Sequence, residues 1–117
     1  MERRRVVVTG LGAINAIGHN VEETWKSIKE GVCGIDEITN YDKELTKVKI
    51  AGEVKNFNAA DYLDKKAVRK MDRFTQFGVI AAKEAFKDAG LKIEEIDADR
   101  FGVVVSSGIG GLAPIEK

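Results

Sequence analysis

Apolar residues fall along this chain in three rhythms, and each predicts a different element. The first rhythm is continuous: Val6-Val7-Val8 and Val103-Val104-Val105. Three β-branched residues in a row lose side-chain freedom in a helix and suit a strand. Neither run alternates with polar residues. Each therefore predicts a strand covered on both faces, as in a parallel sheet flanked by helices. Each ends in a glycine-rich loop, Gly10-Leu11-Gly12 in one case and Ser107-Gly108-Ile109-Gly110-Gly111-Leu112 in the other.

The second rhythm is helical. Asn20 is placed as an N-cap with Glu23 at the third helical position, the spacing of a capping box. Val21, Trp25 and Ile28 then share a face, and Gly31 is placed to end the helix. The strongest helix runs from Phe74 to Ala89. Phe74, Phe77, Gly78, Ala81, Ala85 and Ala89 lie on its apolar stripe, with Gln76, Lys83 and Lys87 opposite. Ile80 falls on the polar side, where this pattern gives it no partner. Gly90 supplies a left-handed cap and Leu91 the apolar contact beside it. Asn58 or Asp61 can cap a short helix before it.

The third rhythm is alternation. Val48, Ile50 and Val54 face one way, and Lys47, Lys49, Glu53 and Lys55 the other. That is a half-exposed strand at a sheet edge. Positions 34–46 carry no period. Strand, helices and strand form a crossover unit, so the two valine strands are expected to be parallel and adjacent in an α/β sheet.

Composition narrows the function classes. The chain has 117 residues, room for one small domain, and 44% of them are hydrophobic, as in a globular protein. Nineteen basic residues balance nineteen acidic ones, so no global charge favours nucleic acid. A single cysteine, Cys33, excludes an internal disulfide and fits a reducing compartment. No apolar run approaches the roughly 20 residues that span a bilayer. Arg3-Arg4-Arg5 and the valines do not make a signal peptide, because Thr9 and Gly10 break the run too soon. The expected location is the cytoplasm, with no membrane partner.

The candidate chemistry is sparse. Gly10-x-Gly12 follows a strand and precedes a helix, but Asn15 stands where a dinucleotide fingerprint has its third glycine. Gly108-x-Gly110-x-x-Ala113 fits that pattern better, without the helix that should follow. Cys33 sits just past a helix C-terminus, where the dipole opposes a thiolate, and reads as a packed small side chain. His19 has no Cys or second His near it, so no metal site is expected. Lys65, Lys66, Arg69, Lys70 and Arg73 fill one helical arc opposite Val68 and Met71. That concentration is a candidate surface for an anionic partner. Trp25, Phe74, Phe77 and Phe86 sit at core spacing.

Four stretches together resemble the β-ketoacyl-acyl carrier protein synthases. They are Arg4-Arg5-Val6-Val7-Val8-Thr9-Gly10-Leu11-Gly12, Trp25 with Gly31 and Gly34-Ile35, Arg69-Lys70-Met71-Asp72-Arg73-Phe74-Thr75-Gln76-Phe77, and the loop 107–112. They span essentially the whole chain, and the last two point to the type II synthases that elongate long acyl chains in bacteria. The resemblance implies a thiolase-like layered αβαβα fold. Residues 1–117 would be the opening part of its first half, an incomplete N-terminal domain.

It also implies a function. The family elongates acyl chains by decarboxylative condensation of malonyl-acyl carrier protein with a cysteine-bound acyl group, in fatty acid biosynthesis. Its nucleophilic cysteine and two histidines lie beyond residue 117, so no catalytic residue is assigned here and Cys33 and His19 are not among them. By position, Lys66, Arg69 and Lys70 match residues that dock acyl carrier protein, and Ile109 with Gly108 matches the acyl pocket. No cofactor or metal is implied beyond the phosphopantetheine arm that carries the substrates. The implied assembly is a homodimer. Asn15-Ala16 departs from the family's Ser/Thr-Pro. Two other readings compete: a non-catalytic chain-length or carrier-binding relative of the same fold, and a dinucleotide-binding oxidoreductase domain.

Overall fold

The computed structural model describes residues 3–111. The last position of the second glycine loop, Leu112, and Ala113 of the glycine pattern lie outside them. Helix α1 spans Val21–Lys29, and a two-stranded antiparallel ribbon pairs β1, Asp36–Glu37, with β2, Ile50–Ala51. A four-residue helix, α2, covers Lys65–Val68, and the long helix α3 covers Arg73–Asp88. Single 3-10 turns fill 43–45, 59–61, 93–95 and 98–100.

The helix signals act as local chemistry requires. The Asn20 side chain accepts the Glu23 N–H at 2.8 Å, and Glu23 reaches back to the His19 N–H at 2.8 Å, one residue earlier than a standard box. Gly31 and Gly90 close α1 and α3 at φ +68° and +66°, backbone that favours glycine. The Leu91 N–H returns to the Phe86 carbonyl at 3.4 Å. Asn58 caps the 3-10 turn at 59–61, and Asp64 caps α2 through the Lys66 and Ala67 N–H groups.

Ile80 finds its partners on the back of α3. It is buried with Ala59 and Leu63, and Phe57, Val68 and Met71 pack around them. Thus α3 has two apolar faces, one for the glycine loops and one for the 57–71 segment. Burying an isoleucine side chain fully is worth about 1.5–3 kcal/mol.

The valine runs depart from expectation. Along α3, Gly10 lies beside Ala85 and Ala89, and Gly12 beside Ala81. Phe101 meets Phe86 edge-on, Val105 approaches Gly78, and Gly110 meets Phe74. Both segments therefore run toward the N-terminus of α3 and share one direction, as a parallel pair would. Yet no backbone hydrogen bond joins them among the described residues. Val6 is 90% exposed and Val104 93%, so the expected cover on two faces is missing. The physical reason is that a strand buried on both sides needs partners on both sides, and among the described residues only α3 flanks these runs. The alternating stretch also shortens: only Ile50 and Ala51 pair as β2, with Ile38 N–H to Lys49 O extending the ribbon.

Two smaller expectations are corrected. Cys33 is exposed rather than packed. Its thiol donates weakly to the Ile35 carbonyl at 3.9 Å. Trp25 is 58% exposed, and Ile28 on the same face is 53% exposed.

Candidate functional site

The first glycine loop is held by carboxylates. Asp88 on α3 accepts the Leu11 N–H at 2.9 Å. Glu84, one turn earlier, accepts the Ala13 N–H at 2.9 Å and the Val21 N–H at 2.8 Å. Val21 opens α1, so Glu84 takes one of the helix's orphan donors and ties it to the loop. Gly10 and Gly12 are pressed onto α3. A Cβ on Gly12 would sit 1.9 Å from the Ala81 carbonyl oxygen, and one on Gly10 2.2 Å from that of Ala85. Asn15 closes the turn: its carboxamide accepts the Ile17 N–H and donates to Thr24 Oγ1. Sequence reasoning missed Glu84 and Asp88. The available signal was that both fall at the border of the apolar stripe, beside Phe77 and Ala81.

This arrangement overturns the dinucleotide reading of Gly10-x-Gly12. In such a site the glycines let the pyrophosphate approach, and free N–H groups bind it. Here the helix backbone fills that approach, and side-chain carboxylates occupy the N–H groups of Leu11 and Ala13.

The basic residues divide between two structures. Lys66 lies on α2, Arg69 caps its C-terminus, and Lys70 follows in the turn. Gln76 of α3 holds that turn, donating to the Val68 and Met71 carbonyls at 3.2 and 3.0 Å. Lys66, Arg69 and Lys70 are exposed, and among the described residues none of them is in an ion pair. The single arc expected for five cations is broken at Asp72. Arg73, itself exposed, leaves the arc, donates to the Val54 carbonyl at 2.7 Å and lies 5.4 Å from the Phe77 ring centroid. Phe57 sits at the centre of this cluster, edge-on to His19 and Phe77 and stacked on Tyr62. His19 is anchored by its Nε2 at 2.7 Å from the Lys55 carbonyl.

Glu53 is a third carboxylate tie, and unlike Glu84 and Asp88 it is buried. It accepts from the Thr39 hydroxyl at 2.7 Å and from the Thr39 and Asn40 N–H groups at 3.0 Å. The Thr39 hydroxyl and the Asn40 N–H hold its carboxyl below the usual range, against the opposing effect of burial.

The second glycine loop stands at the N-terminal end of α3, the end that carries the basic turn. Gly110, at φ +83°, rests on Phe74, and its N–H donates to Ser107 Oγ at 2.9 Å. Ile109 is 77% exposed, and among the described residues a Cβ on Gly108 would meet nothing within 4 Å. Behind this loop an open apolar cleft of about 580 Å³ lies between α3 and residues 105–107.

The sequence profile of the β-ketoacyl synthase N-terminal domain matches residues 3–117. This chain belongs to the β-ketoacyl synthase family. It is 53% identical over 115 residues to the 3-oxoacyl-[acyl-carrier-protein] synthase 2 of Staphylococcus aureus (strain COL), covering 98% of this chain and 28% of the relative. The synthase 2 of Synechocystis sp. (strain ATCC 27184 / PCC 6803 / Kazusa) is 46% identical over 116 residues, again 28% of its length. The chain thus spans a little over a quarter of these synthases. Among solved structures, the ishigamide ketosynthase/chain length factor superposes with a TM-score of 0.72 at 37% identity, over 81% of this chain and 24% of that one. A type II polyketide ketosynthase in complex with its acyl-carrier protein, bound to the hexaketide, gives 0.62 at 29% identity, over 82% and 25%. The α/β thiolase-like fold implied by the sequence motifs is that of these ketosynthases.

Proposed function

We propose that this chain forms the N-terminal part of a condensing enzyme, an acyltransferase that joins malonyl-acyl carrier protein to a cysteine-bound acyl group. The observation that carries this reading is the 53% identity to a 3-oxoacyl-[acyl-carrier-protein] synthase 2 along 98% of the chain. The reaction's nucleophile and histidines belong to the remaining length of such a synthase. This part contributes binding. Lys66, Arg69 and Lys70 present unpaired cations to the acidic carrier, and Ile109 with Gly108 forms the movable end of the acyl pocket. The substrates arrive on the carrier's phosphopantetheine arm, and the working enzyme is a cytoplasmic homodimer. A neighbour that is itself a carrier-protein complex supports the partner assignment.

In a synthase of the relatives' full length carrying these residues, acyl and malonyl carrier proteins should yield β-ketoacyl product. Absence of product, with a changed product length when an active synthase is added, would favour the non-catalytic chain-length reading. Arg69→Glu should weaken carrier binding, and less so as salt rises, because exposed charges are screened beyond about 8 Å at physiological salt. Acyl thioesters without carrier should react as before. Equal loss with both substrate forms would remove Arg69 from the docking surface.

A further inference from the structure

We propose that Phe74 and Ser107 are positioning residues that set where Ile109 stands, so that chain-length selection depends on the first turn of α3. The proposal rests on the reading of Ile109 as a wall of the acyl pocket. Three observations carry it. The Gly110 N–H donates to Ser107 Oγ at 2.9 Å, closing residues 107–110 into one turn with Ile109 at its tip. Gly110 holds φ +83°, so this turn has a backbone that a side chain at position 110 would strain. The turn rests on the Phe74 ring: a Cβ on Gly110 would lie 3.3 Å from Phe74 Cζ and 3.7 and 3.8 Å from Cε1 and Cε2.

Nothing else among the described residues is placed to fix this turn. Gly108 has open space around it, and Ile109 is 77% exposed. Phe74 follows directly on Arg73, whose guanidinium is anchored over Phe77 and on the Val54 carbonyl. Gln76, in the same turn, grips the end of the basic turn through Val68 and Met71. The same first turn of α3 therefore seats the basic turn on one side and the Ile109 loop on the other. Phe74 and Ser107 also border the cleft behind this loop, and a side chain that positions a pocket wall should alter selectivity more than overall rate.

The test compares acylation rates for short and long acyl carriers, with melting curves, in the full-length synthase. Ser107→Ala should shift the long-to-short ratio by about two- to tenfold, the span that loss of one hydrogen bond gives. Ser107→Thr, which keeps the hydroxyl, should retain the parent ratio. Phe74→Leu and Phe74→Ala should shift the ratio, the alanine more. Ile109→Phe is the control for the pocket reading. A shift with Ile109→Phe but with neither Ser107→Ala nor Phe74→Leu would overturn the positioning role and leave the pocket reading standing. No shift with Ile109→Phe would overturn both. Uniform loss at all chain lengths with a lowered melting temperature in the Phe74 variants would make Phe74 packing alone and overturn the proposal.

Discussion

Two glycine-rich loops meet the same helix, and they are held in opposite ways. The loop at 10–13 is locked: two α3 carboxylates take its N–H groups, and its glycines touch helix backbone where no Cβ fits. The loop at 107–110 is lightly held, with one internal hydrogen bond and one aromatic ring beneath it. Similar residues at the end of similar valine runs thus serve different ends. Glycine allows close approach in the first case and frees one bulky side chain in the second. The lesson is that a glycine pattern names a backbone need without saying which need it is.

The contrast can be broken most severely at Gly12. Gly12→Ala would place a methyl 1.9 Å from a backbone oxygen that no rotamer change can move. The expected loss is about 3 kcal/mol or more, at the upper end of overpacking costs. Thermal or urea unfolding of the full-length protein measures it, and an unchanged midpoint would show that the loop is not seated on α3.

Glu84 comes next. Glu84→Ala leaves the Ala13 and Val21 N–H groups without their acceptor, an expected loss of about 1.5–3 kcal/mol. Glu84→Gln should fall between, since its amide can accept at one oxygen only. Equal stability of all three proteins would mean that water replaces the carboxylate without loss.

Glu53 asks whether carboxylate capture of loop N–H groups is a general device of this chain. Its folded pKa is lowered, so its contribution is present above the unfolded value, about 4.3 for Glu. That contribution fades as pH falls through the lower folded value. Glu53→Gln should flatten the acid limb of the stability curve below about pH 4.3. An unchanged acid limb would separate Glu53 from the other two ties.

The smallest effect is expected at Gly108. Among the described residues Gly108→Ala adds a methyl with no heavy atom within 4 Å, and it should move stability by no more than about 0.5 kcal/mol. A loss as large as that of Gly12→Ala would erase the distinction between the loops.

Much of the local structure was legible in advance. The Asn20 cap, the glycines at 31 and 90 and the bounds of α3 depend on residues within a turn of one another. So did the shared direction of the valine runs, which follows from strand, helix and strand in series. The basic turn was legible as residues but not as a surface, because Arg73 leaves it for Phe57 and Phe77.

Neighbouring residues set the helices and their ends and carry the family's motifs, because capping, periodicity and motif order are short-range properties. Tertiary structure alone decided the partners of Ile80, the contacts of Arg73 with Val54 and Phe77, the exposure of Cys33, and the role of Glu84 and Asp88. Leu11 and Asp88 are 77 positions apart, and Ala13 and Glu84 are 71. Those pairs meet only once α3 has laid its apolar stripe along the glycine loop. Hydrophobic packing sets which polar groups end up side by side, and a carboxylate at the edge of such a stripe acquires its role from the backbone donors brought to it.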